Sequence, residues 1–149
     1  MSTRSFIAIT NGDINYTAVY CHNDGYPEGV GQTLQTYYNS PVAARDLVYL
    51  GDLSSVGPLS EPIPGNPHSF DEPANGVIVA YHRDRDEDWE KVKPKKFEGY
   101  DRLINAATLA GAEYLYVYDT KTLAWGVVEL TRPLRPLSVV LNTIKETKP

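Results

Sequence analysis

Residues 19–38 read VYCHNDGYPEGVGQTLQTYY. Ahead of this run, Ile14, Tyr16, Ala18 and Tyr20 alternate with Asn15, Thr17, Val19 and Cys21, rich in β-branched and aromatic residues, which is strand chemistry. Asp24-Gly25-Tyr26-Pro27 then breaks the strand, because glycine tolerates positive φ and proline fixes its own. Val30, Leu34, Tyr37 and Tyr38 follow on one face of a helix. A strand, a sharp turn and a helix in 25 residues make this the nucleus of a layered domain.

Gly29 and Gly31 fall in the first turn of that helix, and two readings compete. Uncovered N–H groups at a helix start favour anions. A tight strand-to-helix connection also needs small residues for packing. The run is not a P-loop, since Tyr26 stands where a glycine belongs and Gln32 where the lysine belongs. The spacing of Gly25, Gly29 and Gly31 also departs from the dinucleotide-binding pattern. Cys21 and His22 are neighbours on a strand, so their side chains point to opposite faces and do not form a nucleophile–base pair. Cys21 reads as a small buried hydrophobe, and His22, at the strand's end, as the better functional candidate.

Working outward, Ser5 to Thr10 is a first strand, and Asn11-Gly12 predicts that it pairs antiparallel with residues 14–21. Ser40-Pro41 supplies an N-cap and a proline at the first helical position, and Gly51 a stop, so a second helix is expected between them. Residues 51–76, GDLSSVGPLSEPIPGNPHSFDEPANG, hold five prolines and four glycines and read as one long irregular loop. Val77 to Tyr81 is a short apolar strand. The charges from His82 to Lys96 balance within a solvated loop. His82-Arg83-Asp84 matches a kinase catalytic loop only in those three letters, for no glycine-rich phosphate loop accompanies it.

Tyr100, Leu103, Ile104, Ala107 and Ala110 form a helical stripe ended by Gly111. Tyr114, Tyr116 and Tyr118 then share one face of a strand, with Trp125 able to meet them across a hairpin. Such a ladder can stack nucleic-acid bases, but without a basic groove it fits a core or a dimer surface better. Residues 131–149 carry Leu137, Val140, Leu141 and Ile144 on one side, a docking segment for this body or a second subunit.

The expected architecture is one α+β domain over residues 1–149, a single antiparallel or mixed sheet of about five strands with two hairpins and helices on one face. The length of 149 residues and 16.6 kDa suits one core, with 42% hydrophobic residues. A net charge of −5 argues against general nucleic-acid affinity. No run reaches membrane-spanning length and MSTRSFIAIT is unlike a signal peptide, so a cytoplasmic setting is expected. One cysteine rules out an internal disulfide. Eleven tyrosines against three phenylalanines favour half-exposed faces and interfaces.

Both strand exits carry His-x-Asp, at 22–24 and 82–84. If the two strands run in the same direction, His22, Asp24, Tyr26, Gly29, Gly31, His82, Arg83, Asp84 and Arg85 gather on one rim as a ligand-binding site. No catalytic residue, metal or cofactor is assigned.

The runs YCHNDGYPEGVGQTL, GDLSS at 51–55 and AYHRDR at 80–85, with the opening Arg4-Ser5-Phe6-Ile7 strand and a Tyr-rich strand near the C-terminus, resemble small accessory proteins of tailed bacteriophages. In those proteins the first run is close to YCHWDGYPEGVG, so Asn23 removes an aromatic here. The resemblance implies a protein made in the cytoplasm of an infected bacterium and carries no established activity. Three functions follow as expectations. The first is a non-enzymatic binding protein that sequesters a small anionic ligand or inhibits a host or defence protein, with a homodimer considered. The second is a metal-dependent hydrolase or phosphoesterase using His22, His82 and His68 with Asp24 or Asp84. The third is a structural or morphogenetic phage protein.

Overall fold

The computed structural model describes residues 2–130 and 135–141. The Asn11-Gly12 turn joins β1 (Ser5–Thr10) to β2 (Asn15–Cys21) in antiparallel register, with Gly12 at φ +82°. A π-helical turn (Pro27–Gly31) leads into α1 (Gln32–Tyr37), and α2 (Pro41–Val48) starts where Ser40 Oγ accepts the Ala43 N–H. Gly51, at φ +84°, follows α2 as expected of a helix stop.

β3 (Leu53–Ser55), β4 (Val79–Ala80), α3 (Tyr81–Arg85), α4 (Trp89–Val92) and β5 (Lys95–Glu98) follow. Then come α5 (Tyr100–Leu109), β6 (Tyr114–Asp119), β7 (Ala124–Glu129) and β8 (Arg135–Pro136), and residues 137–141 are helical. The sheet order is β4-β3-β2-β1-β6-β7-β8, with β5 pairing the first half of β2.

The α+β class and mixed sheet are as expected; the strand count is not. Eight strands are present among the described residues. β3 and β5 share one edge of β2, at Cys21 and at Asn15–Ala18 respectively. β5 reads KKFE, part of the charge run expected to be loop, and such lysine-rich strands are typical of protected edges.

Helices cover both faces rather than one. Alternation along β1 sends Ile7 to one side and Phe6 and Ala8 to the other. On the first side, Val19, Cys21, Tyr116 and Tyr118 pack under Val30 and Leu34 of the first helical segment and Ala44, Leu47 and Val48 of α2. Each fully buried leucine there contributes about 2 kcal/mol of transfer free energy. On the second side, Leu103 and Ala107 of α5 cover Phe6, Ala8, Leu115, Val117 and Val128.

Tyr116 and Tyr118 have no exposed surface, so the tyrosine face belongs to the core and is closed to bases. Tyr118 is paired with Trp125 across the hairpin, ring to ring at 5.2 Å and 69°. Tyr116 Oη donates to Gly25 O at 2.7 Å and Trp125 Nε1 to Tyr38 O at 3.1 Å, while the buried Tyr118 hydroxyl has no hydrogen-bond partner among the described residues. Leu137, Val140 and Leu141 of the terminal segment dock on this same core; Ile144 lies outside the described residues.

Candidate functional site

The rim requires β2 and β4 to run in the same direction, and they do not. β2 pairs parallel with β3, and β3 antiparallel with β4, so the chain leaves Cys21 and Ala80 in opposite directions. The two His-x-Asp runs then acquire separate partners. His22 Nδ1 shares a hydrogen bond with Tyr20 Oη at 2.7 Å. His82 Nδ1 lies 2.8 Å from Glu87 O, its ring edge-on to Trp89. Cys21 is fully buried, and burial pushes its thiol up to about 12, which suits a hydrophobe and not a nucleophile.

The glycines of the first turn serve packing. Val30 N–H donates to Asp24 O, Gly29 N–H to Tyr26 O, and Gly25 N–H to Thr3 O, so these donors are not available to an anion. A Cβ on Gly31 would stand 3.1 Å from both Leu137 and Tyr116, and one on Gly29 would collide with Asp24 O. Tyr26 donates to Asp24 Oδ1 at 3.3 Å.

Arg83 and Asp84 form a staple. Asp84 Oδ2 accepts the Ala80 N–H at 2.8 Å and Arg83 Nη2 at 3.1 Å, and Oδ1 accepts Arg83 Nε at 3.0 Å. Arg83 also donates to the carbonyls of Ser60 and Ile78. Burial alone would raise the Asp84 pKa; the Arg83, Ala80 and His68 donors outweigh it and hold it below the usual carboxylate range. His68, from the long loop, accepts the Ala74 N–H at Nδ1, which places its ring proton on Nε2, 3.2 Å from Asp84 Oδ2 and short of good hydrogen-bond alignment. Nδ1 is thus committed within the protein, while the buried Nε2 stands beside the Asp84 carboxylate without a well-formed hydrogen bond. The pair fastens residues 56–78 to α3. Arg85 lies 4.8 Å over the Phe70 ring and pairs with Glu87. Among the described residues no three of His, Cys, Asp or Glu stand together to hold a metal ion.

One open hollow, of about 470 Å³, is lined by Ser69, Phe70 and Asp71 of the long loop with Asp84, Arg85 and Asp86, three carboxylates around one guanidinium. Two more lie at the other end of the sheet, where β1 and β6 finish and β2 and β7 begin. On the α5 side, a cavity of about 410 Å³ is lined by Tyr16 of β2 and Tyr100 of α5, whose rings pack on each other with centroids 6.1 Å apart at 54°. Val117 and Gly126 line its floor, and Asp119 and Thr122 lie on its margin. Burial raises the Tyr16 pKa, and the carboxylates of Asp119 and Asp13 raise it further, which marks a negative potential at the hydroxyl. On the opposite side a second hollow is lined by Asn15, Thr17, Arg45 and Tyr49, and Thr10 borders both. Around this end Ile14, Leu123, Tyr49 and Val42 are each 57–59% exposed.

The sequence reading missed these residues. Mid-strand Gly126 was the available signal, since a strand glycine often marks a close approach to the backbone.

Fold and site together define a single-sheet α+β protein with an aromatic, acidic hollow at one end. No family model matches the chain, and neither a curated protein nor a solved structure matches it. No helix among the described residues is long and apolar enough to cross a membrane.

Proposed function

We propose that the chain is a non-enzymatic binding protein of phage origin that acts in the cytoplasm of the infected bacterium and inhibits a host protein, a defence protein among them, by covering a basic surface on it. The observation that carries this reading is the end of the sheet at Asn15 and Asp119, where exposed Ile14, Leu123, Tyr49 and Val42 surround two hollows. Apolar side chains ringed by polar ones suit a protein partner better than a small ligand. The charge of −5 selects a basic one and speeds its capture. Sequestration of a small anion draws no support, because Arg83 and the glycine-turn N–H groups are spent inside the molecule. The resemblance supports the phage setting.

The test is affinity capture from bacterial lysate by the wild-type chain beside Asp119→Lys. A basic protein held by the first and released by the second, more weakly retained at high salt, supports the reading. Identical captures from both, or none, sink it.

A further inference from the structure

We propose that the hollow lined by Tyr16, Tyr100 and Asp119 is a receptor for a guanidinium or alkylammonium group, the arginine or lysine side chain of that basic partner. The inference deepens the partner reading above and rests on it. Tyr16 and Tyr100 both line the hollow, their rings in tilted contact at 6.1 Å, and a cation seated in it within about 6 Å of either ring centroid is attracted by the ring quadrupole. The cavity, about 410 Å³, falls in the range of small-ligand pockets. Its apolar floor of Val117 and Gly126 would cover the methylene stem of a long cationic side chain.

The charges point the same way. Asp119 Oδ1 accepts the Lys121 N–H at 2.8 Å, and Asp13 Oδ1 accepts the Asn15 N–H at 2.8 Å. Neither carboxylate makes an ion pair with any described lysine, arginine or histidine. Lys121 lays its stem along Gly12. The hollow thus joins two tyrosine rings and an apolar surface to the Asp119 carboxylate, which has no ion-pair partner among the described residues. A nucleotide would find rings to stack on, but its phosphates would meet the Asp119 carboxylate and, among the described lining residues, no cation.

The experiment is an NMR titration of the full chain, following backbone amides, with four probes: Ac-Gly-Arg-Gly-NH2, the same peptide carrying neutral citrulline, spermidine and AMP. The arginine peptide is expected to shift Tyr16, Tyr100 and Gly126 and to bind about tenfold tighter than the citrulline peptide, the scale of a partly desolvated cation–π contact with a carboxylate beside it. Asp119→Asn keeps the oxygen that accepts the Lys121 N–H and should weaken the arginine peptide by a similar factor. Equal binding of the two peptides, shifts elsewhere on the molecule, or binding of AMP at these residues overturns the proposal. Spermidine binding without the arginine peptide keeps the cation site and overturns the protein partner as its source. Failure of every cationic probe, with Asp119-dependent capture from lysate intact, overturns the pocket and leaves the partner reading standing.

Discussion

At the Cys21 end of β2 and along β4, the charged and aromatic groups that invite a functional reading are partnered inside the molecule. His22 has Tyr20, Asp24 has Tyr26, and Arg83 has Asp84 and two carbonyls. At the Asn15 end the carboxylates of Asp13 and Asp119 cap turns and make no ion pair among the described residues, and large apolar side chains stand in water. Both regions are rich in the residue types from which sites are built. What separates them is whether the protein has already satisfied those groups. A motif reports residue types, and only the fold reports what they are already bonded to.

The largest effect should come from breaking the staple. Asp84→Ala strands the Arg83 guanidinium beneath the long loop, and losing one partner of a largely buried pair costs about 3 kcal/mol. Thermal unfolding should show a fall in Tm on the order of 10 °C. Because the folded pKa of Asp84 is depressed, its contribution is complete above the unfolded value of about 4 and is lost as pH falls through the folded one. Asp52 acts in the opposite sense: burial raises its pKa against the Tyr20 N–H and Lys95, so its contribution exists below about pH 4 and fades as pH rises. Asp84→Asn should therefore flatten or reverse the acid limb of the stability curve. An unchanged limb would mean that the staple is not what makes this region self-contained.

A smaller loss is expected at Gly25. A Cβ there would stand 2.8 Å from Thr3 O and 2.9 Å from Ser5 Cβ, contacts of backbone and strand that cannot swing aside. Gly25→Ala should cost about 1–3 kcal/mol, the range for overpacking, read as a lower urea midpoint with unchanged slope. A neutral result would free the glycine turn to be a ligand loop after all.

How far the sequence could be read follows from the range of the interactions. The Asn11-Gly12 hairpin, the Ser40-Pro41 cap, the Gly51 stop and the Tyr118–Trp125 pairing are set by residues close in the chain, and each appears where its local chemistry places it. The parallel pairing of β1 with β6 joins residues more than 100 positions apart and has no local sign. β4 is two residues long, too short for any period, and its direction decided the fate of the proposed rim. β5 looked like solvated charge because an edge strand needs only one good face, here Phe97. The Tyr16–Tyr100–Asp119 hollow was invisible for the same reason as β1–β6: three distant segments meet only through the sheet.

The smallest effect, and the sharpest discriminator between the two regions, belongs to Leu123. It adopts φ +57° in the β6–β7 turn while 58% exposed. Left-handed backbone is costly for a residue with a Cβ, and a bulky apolar side chain facing water recovers little of that cost. Asp24 and Asp86 take the same conformation, but aspartate tolerates it through local hydrogen bonds. Leucine has no such excuse, and a strained exposed residue is what a binding surface retains against the interest of stability. Leu123→Asn, which suits the left-handed region, should stabilise the chain by about 0.5 kcal/mol and weaken capture of the basic partner. If Leu123→Asn instead destabilises, the side chain is packed in solution, the Asn15 end is as self-contained as the Cys21 end, and the contrast between them disappears.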